Sequence, residues 1–362
     1  MSERDIMLIE EFAAAIDWQA NHAFENGAEC TARVIRALPK VRETDTELGR
    51  RMASWAGLTL KDAMPLRVTG GLHHLALTGK DERLLPVYAG EVTDQNAVDA
   101  IVLDIVAQHD ADLAPWLDGP PQTNEAGRSA SIMTGLLWLA QRVVPRFELF
   151  ELGASAGVNT MLERYHFRLG DTEVGPADSP MKIAPEWRGS GSPPAAPENF
   201  EIVDVRGCDV APINLADPDS ALRLKAYVWP DAPARMERID AAIALASADP
   251  PNLVQMDAGE FAKANLDRPR EPGATRAMFH SIMWQYMPAE TQDTITAAFE
   301  EAGAAATVET PLAWVSLETD PATFRHELKV RFWDGSQRDG ETTLLAHAHP
   351  HGAWVEWSGN EA

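Results

Sequence analysis

Cysteine is scarce: only Cys30 and Cys208 occur in 362 residues. Two thiols cannot make a disulfide framework, and a reducing compartment is expected. Positive charge is also short. Against 55 Asp and Glu stand 31 Lys and Arg, for a formal net charge of −24. Such a surface repels phosphate backbones and anionic lipid. No run of Lys or Arg builds a basic groove, so neither nucleic acid nor a membrane is an expected partner. Long apolar runs are missing too. The longest candidate, Ser129 to Val144, is interrupted by Gln141 and Arg142, short of the roughly 18 apolar residues that read as a membrane helix. The opening Met1-Ser2-Glu3-Arg4-Asp5 has no basic n-region, so no signal peptide is expected. Together these absences point to a soluble protein of the cytoplasm.

What is present is an ordinary globular mixture, 45% apolar and 24% charged, long enough for one large domain or two. The first part reads as helices. Ile6, Ile9, Phe12, Ala13 and Ile16 recur at helical spacing, and similar faces follow in Cys30–Leu38, Leu48–Trp55 and Val98–Val106. Leu84–Val92 is the one short strand expected there, and Gly70-Gly71-Leu72-His73-His74 reads as a turn or a helix start. Gly119-Pro120-Pro121 punctuates the chain. The expected division is a helical lid or cap over residues 1–120 and an α/β domain over residues 121–362.

After Pro121 a helix is expected up to Pro145. Short apolar runs then alternate with helical stretches, as in an open, mostly parallel sheet. The runs are Phe147–Leu152, Phe200–Val205, Leu253–Met256, Ala277–Ile282 and Leu312–Leu317; the helical stretches are Ala156–Arg164, Pro233–Ala246 and Glu290–Ala302. Glu327–Trp333, Glu341–His347 and Ala353–Trp357 read as antiparallel strands closing the sheet. Residues 165–199 form a Pro/Gly-rich insertion without periodicity.

The sharpest chemical signal is Phe147-Glu-Leu-Phe-Glu151-Leu-Gly153-Ala-Ser155-Ala-Gly157, an apolar strand running into a turn of small residues. G-x-G-x-x-G fits poorly, because Ser155 and Val158 stand at two of its glycines. The lysine-bearing phosphate loop is absent. An acid followed by a Gly-rich turn also holds S-adenosylmethionine, and Glu151, Gly153 and Gly157 match with Ser155 for the middle glycine. Gly153-Ala-Ser155-Ala-Gly157 is equally a G-x-S-x-G nucleophile elbow, with Ser155 as nucleophile and His347, His349 or His351 completing a triad. Hydrolase folds place several strands before the elbow, whereas the residues before this one read as helical, so the methyltransferase reading leads.

Later strand ends agree with it. Asp209, in Arg206-Gly-Cys-Asp209, suits the ribose hydroxyls, since a carboxylate accepts from both. It lies 52 residues after Gly157 instead of the usual spacing of about 20, an excess the 165–199 insertion accounts for. Asp257-Ala258 ends the next run where the adenine amino group would be read. Phe279-His280-Ser281-Ile-Met-Trp284-Gln285-Tyr286 crowds polar and aromatic groups at the end of the following one. His280 is the candidate base, with Tyr286 a second catalytic candidate. Trp284, Gln285 and His73 are expected to shape the acceptor pocket. His347, His349 and His351 are expected to hold no metal, because Pro350 breaks their register and no Cys or acidic partner has ligand spacing.

Several blocks span nearly the whole chain: Pro120–Glu125, Glu151–Asn159, Arg206–Asp209, Tyr227–Asp231, Phe279–Tyr286 and Pro350–Trp357. Together they resemble an uncharacterised bacterial family, a domain of unknown function, which implies a bacterial cytosolic protein and no particular reaction. More broadly, the Gly-rich turn, Asp209 and Asp257 are similar to class I S-adenosylmethionine-dependent methyltransferases. That similarity implies S-adenosylmethionine as cofactor, with Glu151, Gly153, Ser155 and Gly157 at its amino-acid end, Asp209 on the ribose and Asp257-Ala258 at the adenine. A serine hydrolase using Ser155 and a non-catalytic protein binding a nucleotide-like ligand are the alternatives.

Overall fold

The computed structural model describes residues 8–336 and 340–358. Along the chain run α1 (Phe12–Glu25), α2 (Glu29–Arg42), α3 (Glu47–Ala53), α4 (Met64–Leu77), α5 (Leu85–Tyr88), α6 (Gln95–Leu113) and α7 (Ser129–Ala140). Then come β1 (Arg146–Leu152), β2 (His166–Leu169), β3 (Thr172–Val174), β4 (Lys182–Ile183), β5 (Glu186–Gly189) and β6 (Glu201–Asp209). Next are α8 (Pro218–Ala226), α9 (Pro233–Ala248), β7 (Leu253–Gln255), α10 (Ala258–Leu266), β8 (Thr275–Ser281) and α11 (Ala289–Gly303). The chain closes with β9 (Leu312–Thr319), β10 (His326–Trp333), β11 (Thr343–Ala348) and β12 (Trp354–Trp357). Two compact units result, one from residues up to Thr123 with Asp217–Asp240, the other from Asn124–Ala216 with Ala241 onward.

The first unit is helical. Its core gathers Ile16, Val34, Ile35, Leu38, Leu72, Val102 and Ile105 from α1, α2, α4 and α6. Two local expectations are corrected here. Leu84–Val92 contains the helix α5 and turns, because its buried Leu84 and Val87 stand three apart, the helical period, and Pro86 sits in the first turn where its missing N–H costs nothing. Gly70 and Gly71 lie inside α4. A Cβ on Gly70 would meet the Tyr227 ring at 2.8 Å and one on Gly71 the Trp116 ring at 2.9 Å, so the pair permits close packing and makes no turn.

The residue preceding α2, Ala28, cannot cap it. Asp231 does so from 200 residues away, accepting from the Cys30 N–H at 2.7 Å, the Thr31 N–H at 3.2 Å and the Thr31 hydroxyl. Asp231→Ala is expected to cost about 2 kcal/mol of unfolding free energy, read as a lowered urea midpoint with unchanged slope. An unmoved midpoint would show that water replaces the cap.

The second unit holds a nine-stranded sheet ordered β5-β12-β11-β10-β9-β8-β1-β6-β7. Strands β7, β6, β1, β8 and β9 are mutually parallel, whereas β9 to β12 alternate in direction. Buried α7 packs on one face, where Gly135 brings its backbone against Val315. Helices α10 and α11 cover Phe150, Leu152, Met278 and Trp314 on the other. The order reverses at β1: the chain moves outward to β6 and β7, then returns to β8 on the opposite side. In open α/β sheets ligands bind outside the carboxyl ends of strands at such a reversal.

The insertion is more ordered than its composition suggests. β2, β3 and β4 form a small sheet, and β5 extends the large one by pairing with β12. The helix expected over Ala156–Arg164 is instead a tight turn and a 3₁₀ segment, Asn159–Arg164. Its backbone groups have other partners: the Val158 N–H donates to Asn124 Oδ1 at 2.8 Å, and the Val158 carbonyl accepts from the Tyr165 hydroxyl.

Candidate functional site

Strand β1 ends in Glu151 and Leu152, and three left-handed residues follow: Gly153 (φ +66°), Ser155 (φ +53°) and Gly157 (φ +71°). At Gly157 a Cβ would press on Pro251 at 2.7 Å, so glycine is required by space as well as by φ. Ser155 pays a left-handed conformation without being glycine. The turn is tied to β6, with the Ala154 N–H donating to the Cys208 carbonyl at 2.8 Å and the Ser155 N–H to Asp209 Oδ2 at 2.8 Å. Asp209 Oδ1 accepts from Ala211 N–H at 2.9 Å. The side chain of Ser155 is 9% exposed, and its hydroxyl has no hydrogen-bond partner among the described residues.

Glu151 is 2% exposed and accepts from the Thr160 hydroxyl at 2.5 Å. Burial pushes its carboxyl up to about 8, the Thr160 bond pulls it back, and Asp209 adds repulsion. Nearby Arg128 is buried and spans the sheet edge, donating to the Ser281 carbonyl at 3.3 Å and the Pro350 carbonyl at 2.9 Å. Asp257 caps α10, taking the Gly259 N–H at 2.8 Å and the Glu260 N–H at 3.2 Å on one oxygen, with Ala258 as the first helical residue.

His280, 2% exposed at the end of β8, carries the most constrained chemistry. Its Nδ1 lies 2.7 Å from Glu318 Oε1, and its Nε2 accepts from the Trp314 indole N–H at 2.9 Å. An indole only donates, so Nε2 is the bare nitrogen and Nδ1 carries the proton. The ring stacks on Trp284 at 5.0 Å. Glu318 also accepts from the Met283 N–H at 3.1 and 3.2 Å and from the Trp284 N–H at 3.3 Å. Ile282 makes this possible at φ +50°, a strained conformation for a β-branched residue of the sort found at ligand clamps.

Glu151, Gly153, Ser155, Gly157, Asp209, Asp257, Ala258, His280 and Trp284 therefore all lie at the carboxyl ends of β1, β6, β7 and β8. Gln285 and Tyr286 face solvent, Tyr286 being 74% exposed. His73 belongs to the first unit, buried in α4 with Nδ1 3.1 Å from the Ala226 carbonyl, and desolvation lowers it to about 4. His347 lies 3.6 Å from Glu327, and His349 Nδ1 accepts from the His351 N–H at 3.1 Å. Among the described residues no group of three or more His, Cys, Asp or Glu is placed to hold a metal ion. Nor is any described helix long and apolar enough to cross a membrane. Sequence reasoning missed Trp314, Glu318 and Met283. The signal was available in Trp314, Ser316 and Glu318, polar or amphipathic positions alternating along an otherwise apolar strand.

One protein family, described as "Uncharacterized protein conserved in bacteria (DUF2332)", matches residues 13–357. No curated protein and no solved structure matches the chain.

Proposed function

We propose, for a chain that belongs to the uncharacterized bacterial family DUF2332, S-adenosylmethionine-dependent methyl transfer to a small molecule. The observation that carries this reading is the strand order β7-β6-β1-β8-β9. It sets an acid and a Gly-rich turn at the reversal, with Asp209, Asp257 and His280 on the neighbouring strand ends.

The residues fit the cofactor. The position a Cβ would take on Gly153 is 2.5 Å from Met283 Cε, so the nearest atom over the backbone there is the end of a flexible thioether side chain. Ser155 contributes a buried, unpartnered hydroxyl. Asp209 uses one acceptor position on each oxygen for the turn, and an ionised carboxylate offers about four. Gly153, Ser155 and Gly157 would hold the amino-acid end beside Glu151, Asp209 the ribose, and Asp257 with Ala258 the adenine. The bound cofactor supplies an electrophilic methyl group. The chain then has to align the acceptor and, for a hydroxyl or amine, remove a proton. The His280 lone pair is held by Trp314, so His280 accepts a proton only after that bond opens; until then it orients Trp284.

The positive φ of Ser155 in G-x-S-x-G favours the hydrolase as second reading. No base is placed for it, since the Ser155 hydroxyl has no hydrogen-bond partner among the described residues. It lacks the α-helix that follows an elbow. The test is mass spectrometry of whatever copurifies with the full chain. S-adenosylmethionine or S-adenosylhomocysteine is expected; a dinucleotide in its place would redirect the assignment to another nucleotide-binding chemistry.

A further inference from the structure

A cleft of about 290 Å³ opens on the α11 face of β8, β9 and β10, walled by Trp284 and Trp314 and lined by Glu318, Glu327, Lys329 and Arg331. The register explains the grouping. Glu318, Ser316 and Trp314 on β9 stand opposite Glu327, Lys329 and Arg331 on β10, alternate residues pointing to one face. Its far wall is the His280–Trp284 stack of the candidate site.

Hydrogen-bond accounting identifies what the cleft lacks. Two of its three acids, Glu318 and Asp320, are consumed internally. Glu318 takes the His280 ring and the Met283 and Trp284 N–H groups. Asp320 takes the N–H groups of Ala322 and Thr323 and the Thr323 hydroxyl. Glu327 is ion-paired with Lys329, but its Oε2 accepts no hydrogen bond among the described residues. Its cations are not consumed. Lys329 carries three N–H donors and makes one ion pair, with Glu327. Arg331 gives Nε–H to the Gly340 carbonyl at 2.7 Å and one Nη2–H to Glu300 at 2.5 Å. That leaves its Nη1 donors without a partner among the described residues, and its guanidinium lies over the Trp314 and Trp333 rings. The surplus is therefore in donors, between aromatic walls, in a protein whose net charge of −24 otherwise repels anions.

We propose that this cleft is the acceptor site and that it takes a small carboxylate-bearing molecule, Lys329 and Arg331 holding the carboxylate and Trp284 and Trp314 packing on the remainder. Only the word acceptor rests on the methyl-transfer reading. A carboxylate offers both cations two anionic oxygens, an amide only one neutral oxygen and an ammonium no acceptor at all.

The test is fluorine NMR of the full chain with 4-fluorobenzoate, 4-fluorobenzamide and 4-fluorobenzylamine. The benzoate is expected to bind at least about tenfold tighter than the other two, the difference of one charged hydrogen bond. That preference should fall severalfold in a Glu327→Gln/Lys329→Met double variant, which removes the ion pair together, strands no buried charge and leaves Arg331 in place. A preference for the amine, no binding by any probe to the wild-type chain, or an undiminished preference in the double variant would overturn the proposal. S-adenosylhomocysteine is titrated separately. Benzoate selectivity without S-adenosylhomocysteine binding would leave the carboxylate site and remove the methyl-transfer reading; the opposite result would remove only the carboxylate site.

Discussion

Ser155→Gly is expected to raise the unfolding free energy and leave S-adenosylhomocysteine affinity within a few-fold, whereas Ser155→Leu abolishes binding. Ser155 is held at φ +53°, which costs an L-residue about 1 kcal/mol that glycine does not incur. Its hydroxyl forms no hydrogen bond among the described residues, so little is lost with it. The N–H to Asp209 is a backbone bond and survives. Leucine would push a branched side chain into a site now 9% exposed and displace the turn the cofactor must approach. A serine nucleophile predicts the reverse: glycine would remove turnover by orders of magnitude. A fluorophosphonate probe separates the two, with no labelling expected here. Covalent modification at Ser155, lost in the glycine variant, would establish the hydrolase.

Glu151→Gln is expected to gain stability relative to the wild type as pH rises from about 5 to 8. The comparison isolates Glu151 from His73 and His326, whose lowered folded pKa values act in the opposite sense below about 6.5. Burial raises the folded pKa of Glu151 from 4.5 to about 8. The folded protein therefore keeps a proton that the unfolded chain releases across this window. The Glu151 contribution to stability is greatest at the acid end and is lost at about 1.4 kcal/mol per pH unit inside the window. Integrated over the window, the penalty is about 4 kcal/mol at pH 8. The glutamine has no proton to lose and still offers an oxygen to Thr160. Urea unfolding of both proteins across the range measures the difference directly: curves that meet near pH 5 and diverge by pH 8 are expected. Parallel curves would mean that water reaches the carboxylate.

The sheet was largely legible because parallel strands buried on both faces are continuous apolar runs, as in Phe147–Leu152 and Ala277–Ile282. Where two periods overlap, legibility failed. Leu84 and Val87 fit alternation loosely and a helical turn better. β5 was invisible in its Pro/Gly-rich surroundings because its order comes from β12, whose residues lie far along the chain. The site divided the same way. Glu151, Gly153, Ser155 and Asp209 announced themselves by local spacing, although nothing local said that Asp209 would clasp the Ser155 N–H. Glu318 lies 38 residues from His280, and only the β8–β9 pairing brings it there. Tyr286 stands two residues after Trp284, yet the 3₁₀ turn Trp284–Tyr286 carries it outward.

Isothermal titration of the full chain with S-adenosylhomocysteine tests most directly whether the strand ends at the β1–β8 reversal form a cofactor site. The expected result is saturable one-to-one binding, retained in Ser155→Gly and lost in Ser155→Leu while that variant still melts cooperatively. A flat titration of the wild-type chain at millimolar ligand would contradict it.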